Sequence, residues 1–164
     1  MANEEITKHG VLVVDPSTHM AGLVSIMLRS LGRKDIREAY DAEKAMAELQ
    51  RRNFNVVIID DGQGFDGVAL TRKLRASTEC QNRSVPIIMM SSAPDAKRIA
   101  EARDAGATEF LRKPFAANHL QTRLSSLVIN PRGFIEGGEY KGPDRRRKTV
   151  DVSEDRRGPT AKAG

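Results

Sequence analysis

Two aspartates each close an apolar run, Val11-Leu12-Val13-Val14-Asp15 and Val56-Val57-Ile58-Ile59-Asp60. Chemistry in an open α/β sheet sits just beyond the carboxyl ends of the strands, so Asp60 stands where a carboxylate can act. Two carboxylates brought together repel unless a cation joins them, and Lys113 is one candidate. A second chemistry is written near the C-terminus. The triplet Asp-Arg-Arg occurs at 144–146 and again at 155–157, eleven positions apart. A guanidinium fork matches the O6 and N7 acceptors of guanine, and a carboxylate can accept from N1–H and N2–H on the other edge. Arginine planes and rings such as Tyr140 can stack on a purine face. Aspartate with arginine makes a guanine reader, whereas arginine alone makes a phosphate binder.

The elements that must position these groups follow from hydrophobic patterning. Val56–Ile59 is a continuous β-branched run, which reads as a strand buried on both faces. Val11–Asp15, Ile36–Tyr40, Pro86–Ser91 and Thr108–Leu111 read as further strands. Helical spacing follows Pro16-Ser17-Thr18, with Met20, Leu23, Val24, Met27 and Leu28, until Gly32. Asp41 caps a helix carrying Ala45, Met46 and Leu49. Further helices are expected over Val68–Ala76, Asp95–Ala105 with Gly106 as the stop, and Ala116–Val128. Strand and helix alternate five times, which predicts an α/β fold: a five-stranded, doubly wound parallel sheet in the flavodoxin-like order 2-1-3-4-5. In that order Asp15 and Asp60 lie side by side, with Ser91 and Lys113 on the other flank. The folded domain is expected over 8–130. Glycine, proline and charge dominate 131–164, predicting a tail disordered in the absence of ligand.

Composition bounds the setting. The 164 residues are 39% hydrophobic, enough for one ordinary core. The single Cys80 excludes an internal disulfide and suits a reducing compartment. No apolar run approaches the roughly 18 residues of a membrane span, and no signal peptide opens the chain, so a cytoplasmic protein is expected. The tail carries nine Lys/Arg against six Asp/Glu, +3 of the net +5. That asymmetry points to an anionic partner. His9, His19 and His119 are scattered and read as ordinary polar residues. The glycines of 62–67 form no phosphate cradle, since no Lys-Ser/Thr follows.

The motifs Val11–Asp15, Ile58-Ile59-Asp60, Ile87–Ser92, Ala105–Phe110 and Leu111–Phe115 resemble the receiver domain of bacterial response regulators, the CheY-like fold, over roughly residues 8–129. The resemblance implies that Asp60 is the phosphoacceptor for a phosphohistidine, which makes a histidine kinase a partner. It implies Mg²⁺ held by Asp15, Asp60 and the Gly62 carbonyl, Ser91 and Lys113 on phosphoryl oxygens, and Phe110 as an aromatic that changes rotamer. It also allows a cis bond before Pro114. Two departures stand out. Pro16 occupies the place of a second acidic residue, which weakens the Mg²⁺ site, with Asp61 as a candidate substitute. The loop 60–67 looks one residue short and lacks the usual proline. The same residues also suit a purely structural charge cluster.

Tyr140, Gly142-Pro143-Asp144-Arg145-Arg146-Arg147, Asp151-Val152-Ser153 and Asp155-Arg156-Arg157 resemble the arginine-rich extension of the CheY-like cyclic-di-GMP effectors, the Cle family. That likeness implies a regulatory binding protein rather than an enzyme, whose tail orders around cyclic di-GMP. Tyr140, Pro143, Asp144, Arg145, Arg146, Arg147, Asp151, Ser153, Asp155, Arg156 and Arg157 are the implied ligand residues. It further implies docking on the flagellar motor switch, affecting motility and surface attachment, by a protein expected to be monomeric. The ordered tail was expected on the face of the fourth helix and fifth strand. The tail is loosely similar to the Arg and Asp-x-Ser elements of PilZ domains, but the β-barrel that carries them has no counterpart. The competing reading is a phosphorylation-switched adaptor whose basic tail binds nucleic acid or membrane nonspecifically, without sequence-specific DNA recognition.

Overall fold

The computed structural model describes residues 9–62 and 64–146. Five parallel strands, β1 (Gly10–Val14), β2 (Ile36–Ala39), β3 (Phe54–Asp60), β4 (Ile87–Ser91) and β5 (Glu109–Arg112), form a sheet in the order β2-β1-β3-β4-β5, as the alternating pattern predicts. Helices α1 (Thr18–Ser30), α2 (Ala42–Arg51), α3 (Gly67–Ala76), α4 (Ala96–Ala105) and α5 (Ala117–Ile129) connect them. Polar caps set where four of these helices begin. Ser17, Asp41, Asp66 and Asp95 each accept a hydrogen bond from the backbone N–H three residues on, which satisfies a donor that the first turn leaves free.

The apolar runs bury both faces of the sheet. Leu12, Val14, Val57 and Ile59 point one way and pack with Ala45, Met46 and Leu49 of α2 and Leu70 and Leu74 of α3. Val11, Val13, Val56 and Ile58 point the other way, onto Ala21, Val24 and Leu28 of α1 and Leu120 and Leu124 of α5. This alternation is the two-residue period of a strand, filled with apolar side chains at both phases. A smaller cluster of Val68, Met89, Ala102, Ala105 and Ala107 joins α3 and α4 to the sheet, with Phe110 packed against it. The β-carbons of alanine bring α4 close to the strands.

Among the described residues, part of the segment expected to be a disordered tail is ordered. An antiparallel hairpin forms from β6 (Phe134–Gly137) and β7 (Tyr140–Pro143). Its turn is Gly138-Glu139, with Gly138 at φ +58°, a conformation that glycine adopts without steric cost. The hairpin rests on the receiving ends of α3 and α4. Arg75 of α3 is 2% exposed. Its guanidinium donates to the Gly106 carbonyl from Nε at 3.1 Å and from Nη2 at 2.9 Å, and to the Arg83 carbonyl at 2.6 Å. Burial pulls its pKa down to about 10. The Phe134 ring lies 5.8 Å from the Arg75 guanidinium and 5.2 Å from that of Arg83, and Arg83 ion-pairs with Glu136. Cationic planes against an aromatic face thus replace most of the apolar packing that a hairpin of this size lacks. Residues 147–164 lie outside the described residues.

The docking also requires two glycines back to back. A β-carbon on Gly142 would stand 2.8 Å from Gly106 Cα and 2.8 Å from Tyr140 Oη. Gly142→Ala is therefore expected to lift β7, at a cost of about 1–3 kcal/mol in local stability. Hydrogen exchange checks this: the amides of 134–142 should lose protection while those of β1 and β3 keep theirs. Unchanged protection in the hairpin would show that β7 does not depend on this contact.

Candidate functional site

Neighbouring β1 and β3 deliver Asp15 and Asp60 to one rim of the sheet. Both are buried, at 1% and 8% exposure. Lys113 follows β5 and reaches both: Nζ donates to Asp60 Oδ1 at 2.5 Å and to Asp15 Oδ2 at 3.0 Å. The backbone N–H of Lys113 donates to the Ser91 carbonyl at 2.9 Å, which fixes the lysine beside the end of β4. The peptide bond between Lys113 and Pro114 is cis. The other oxygen of Asp15, Oδ1, accepts from Ser17 N–H at 2.9 Å, so this carboxylate also braces the entry to α1.

Burial pushes the Asp60 carboxyl above the usual carboxylate range. The hydrogen bond from Lys113 opposes the rise, and the charge of Asp15 adds to it. Burial lowers Lys113, but its hydrogen bonds to Asp60 and Asp15 together hold it above its ordinary value. The ammonium thus stands between two carboxylates that would otherwise be too close to ionise together.

The remaining residues at this rim divide by what they touch. Ser91 is half-buried at the end of β4. Phe110 packs on the alanine cluster beneath α4, and its carbonyl accepts from Arg123 Nε at 2.7 Å. Gly62 exchanges two backbone hydrogen bonds with Phe65, each 3.2 Å, which leaves its carbonyl one lone pair. Asp61, the candidate substitute for the acid that Pro16 replaces, is held by Arg98 and the start of α3. Its oxygens accept from Arg98 Nε and Nη2 at 2.7 Å each and from Gly67 N–H at 3.0 Å. Arg98 also pairs with Asp66 and Glu101. Its pKa is raised, first by the hydrogen bond to Asp61. This tie between α4 and the loop after β3 was not visible in the sequence, where Arg98 reads as one more charge on a solvated helix.

A second polar site lies at the junction of α5 and the hairpin. A cavity of about 450 Å³ is lined by Glu109, Ser126, Asn130, Arg132, Asp144 and Arg146 among others. Asp144 accepts from Arg146 N–H at 2.9 Å and from Nε and Nη2 at 3.1 Å each. The hydrogen bonds from Arg146 hold the half-buried Asp144 carboxyl below its ordinary range. Asp144 N–H donates to the Gly133 carbonyl at 2.7 Å, closing the base of the hairpin. Arg145 leaves the cavity. Its guanidinium lies 4.1 Å from the Tyr140 ring centroid and pairs with Asp104 at 2.6 Å. Tyr140 donates its hydroxyl to the Pro143 carbonyl at 2.5 Å, and burial raises its pKa. Of the tail residues singled out in the sequence, Asp144 and Arg146 come together at the cavity. Tyr140 and Pro143 lie in β7, and Arg145, just beyond it, stacks on the Tyr140 ring. Arg147, Asp151, Ser153, Asp155, Arg156 and Arg157 lie outside the described residues.

The two sites occupy opposite ends of β5. Glu109 begins the strand and lines the cavity, while Lys113 follows its last residue, about 13 Å further along.

The family profile "Response regulator receiver domain" matches residues 11–125. Chemotaxis protein CheY-3 of Vibrio cholerae is 30% identical over 118 residues, 71% of this chain and 89% of that protein. The solved structure of Vibrio cholerae CheY4 superimposes with a TM-score of 0.64 at 28% identity, covering 71% of this chain and 96% of the other. The receiver domain of sensor histidine kinase PA1611 from Pseudomonas aeruginosa gives a TM-score of 0.65 at 26% identity, over 74% of this chain and 98% of its own. That structure holds a magnesium ion coordinated in its active-site cleft. The profile match ends at residue 125, before the hairpin begins.

The aspartate rim generates a prediction with a definite sign. A raised folded-state pKa means that the folded protein holds the Asp60 proton more tightly than the unfolded chain does. The stability this confers is present below the unfolded value, near 3.8, and is lost as pH rises through the folded value. Asp60→Asn removes that loss. Its urea midpoint at pH 7 should exceed that of the unaltered protein, and the advantage should vanish below pH 3.8. A lower midpoint at pH 7 would mean that the Lys113 bond outweighs the cost of burial.

Proposed function

The chain belongs to the response regulator receiver domain family, and from that premise we propose that it is a cyclic-di-GMP-responsive signalling effector rather than a turnover enzyme. In this reading the receiver carries a phosphorylatable Asp60, and the arginine-rich tail takes cyclic di-GMP. The liganded protein docks on the flagellar motor switch in the cytoplasm, altering motility and surface attachment.

At the aspartate rim, an Asp60 carboxylate oxygen attacks the phosphorus of a histidine kinase's phosphohistidine, the P–N bond breaks as the O–P bond forms, and the imidazole leaves with the bonding pair and takes up a proton. Lys113 then exchanges part of its bond to Asp60 for a phosphoryl oxygen, and the Ser91 hydroxyl donates to another. The donor set fits a hard divalent cation, since the Asp15 and Asp60 carboxylates and the Gly62 carbonyl all offer oxygen. Pro16 brings no carboxylate and Asp61 is held by Arg98, so the protein would offer a bound Mg²⁺ only these three oxygens and water would have to supply the rest. When bound, Mg²⁺ supplies positive charge that neutralises the phosphoryl oxygens.

The observation that carries the ligand reading is the pairing of carboxylate and guanidinium at one cavity. Asp144 and Arg146 line it together, a combination that weakens a bare phosphate binder and suits a base with donors on one edge and acceptors on another. A nonspecific basic tail needs no carboxylate within its arginine run. The unseen second triplet, with Asp155, Arg156 and Arg157, suits a ligand with two equivalent guanines.

Calorimetry on the full chain tests this. Cyclic di-GMP should bind at least about tenfold more tightly than cyclic di-AMP, and Asp144→Ala should lose about 1–3 kcal/mol of the affinity. Equal affinity for the two dinucleotides, or binding only to single-stranded DNA, would favour the nonspecific tail.

A further inference from the structure

We propose that the receiver fold itself completes the nucleotide site: Glu109 of β5, Ser126 and Asn130 at the end of α5, and Arg132 beyond it close on a guanine base held from the other side by Asp144 and Arg146. This rests on the ligand reading above and extends it from a tail motif to a site with two walls.

The cavity of about 450 Å³ is of ligand-binding size, within the roughly 300–1,000 Å³ of small-molecule sites. Its charges are balanced in kind. Arg132 and Arg146 offer donor forks, and Glu109 and Asp144 offer acceptors. Two carboxylates would repel a ligand recognised by phosphate alone, and two guanidinium groups would repel a metal ion. A guanine nucleotide uses both kinds of group. Its O6 and N7 accept from a guanidinium, its N1–H and N2–H donate to a carboxylate, and its phosphates take the second arginine.

The internal bonds of the cavity are ones a ligand can exchange. Asp144 pairs with Arg146, whose side chain is largely exposed, and an ion pair with one partner in solvent contributes little. Glu109 accepts from the Ser126 hydroxyl through Oε1 at 3.2 Å, leaving its other oxygen for the base. Among the described residues, Arg132 makes no ion pair. It sits two residues after the α5 C-cap, Asn130, and one before the Gly133 carbonyl that receives Asp144 N–H. A ligand held here would join the end of α5 to the end of β7 and be sensed by the first residue of β5.

The test is calorimetry of cyclic di-GMP with the full chain carrying Glu109→Gln, a near-isosteric change, and separately Arg132→Ala at an exposed position. Thermal unfolding of each variant without ligand confirms its fold. Affinity should fall about tenfold or more in both variants, the loss expected for leaving a base donor or a phosphate unpaired. In the unaltered chain, the amides of Ser126 and Asn130 should shift on adding cyclic di-GMP. Unaltered affinity in Glu109→Gln alongside a loss in Asp144→Ala would overturn the two-walled site and leave the tail reading standing. No affinity in the unaltered chain would overturn both.

Discussion

The ammonium of Lys113, set between Asp15 and Asp60, is the interaction on which the functional end of the molecule depends. Two carboxylates buried on adjacent strands are unfavourable in isolation, because each is stripped of water and faces the other's charge. The sheet order makes their meeting unavoidable: β1 and β3 are neighbours, and both runs end in aspartate. The cation arrives from beyond β5, reaching past the end of β4. It is compact and detachable, unlike the fixed fork of an arginine. The rim is therefore compensated by a cation that is not locked in a fixed geometry.

The same strand that positions this lysine begins at the other pole of the molecule, against the hairpin. The hairpin is held chiefly by cations and close backbone approach. Arg75 spans the Gly106 and Arg83 carbonyls from within the fold and lies beneath Phe134. Gly106 and Gly142 allow the α4–β5 turn and β7 to touch. Arg145 and Asp104 close the outer edge. The segment that follows the receiver is thus anchored by the folded domain itself, through a cation, an aromatic ring and a close backbone approach.

The sheet order and the aspartate rim were legible because their signals are local and redundant. Continuous β-branched runs, capping aspartates and glycine stops all pointed to the same alternation. The hairpin was not, because β6 and β7 offer only Phe134, Ile135 and Tyr140 as sizeable apolar side chains. Their partner is a buried arginine that reads, on a helix face, as a solvated charge. The partner of Asp61 is hidden for a related reason: its side chain turns to Arg98, 37 residues away, which adjacency to Asp60 does not show. Arg132 and Glu109 carry no motif. Only the fold brings them to Asp144 and Arg146.

The compensated carboxylate pair is tested most directly by the ionisation of Asp60 itself. Carbon-13 NMR of its carboxyl carbon, followed through an acid titration, should give a midpoint above the ordinary 3.8, and added Mg²⁺ should move that midpoint down. A midpoint at or below 3.8 in the metal-free protein, unmoved by Mg²⁺, would contradict the account, since burial and the Asp15 charge would then not raise the Asp60 carboxyl and no cation would bind beside it.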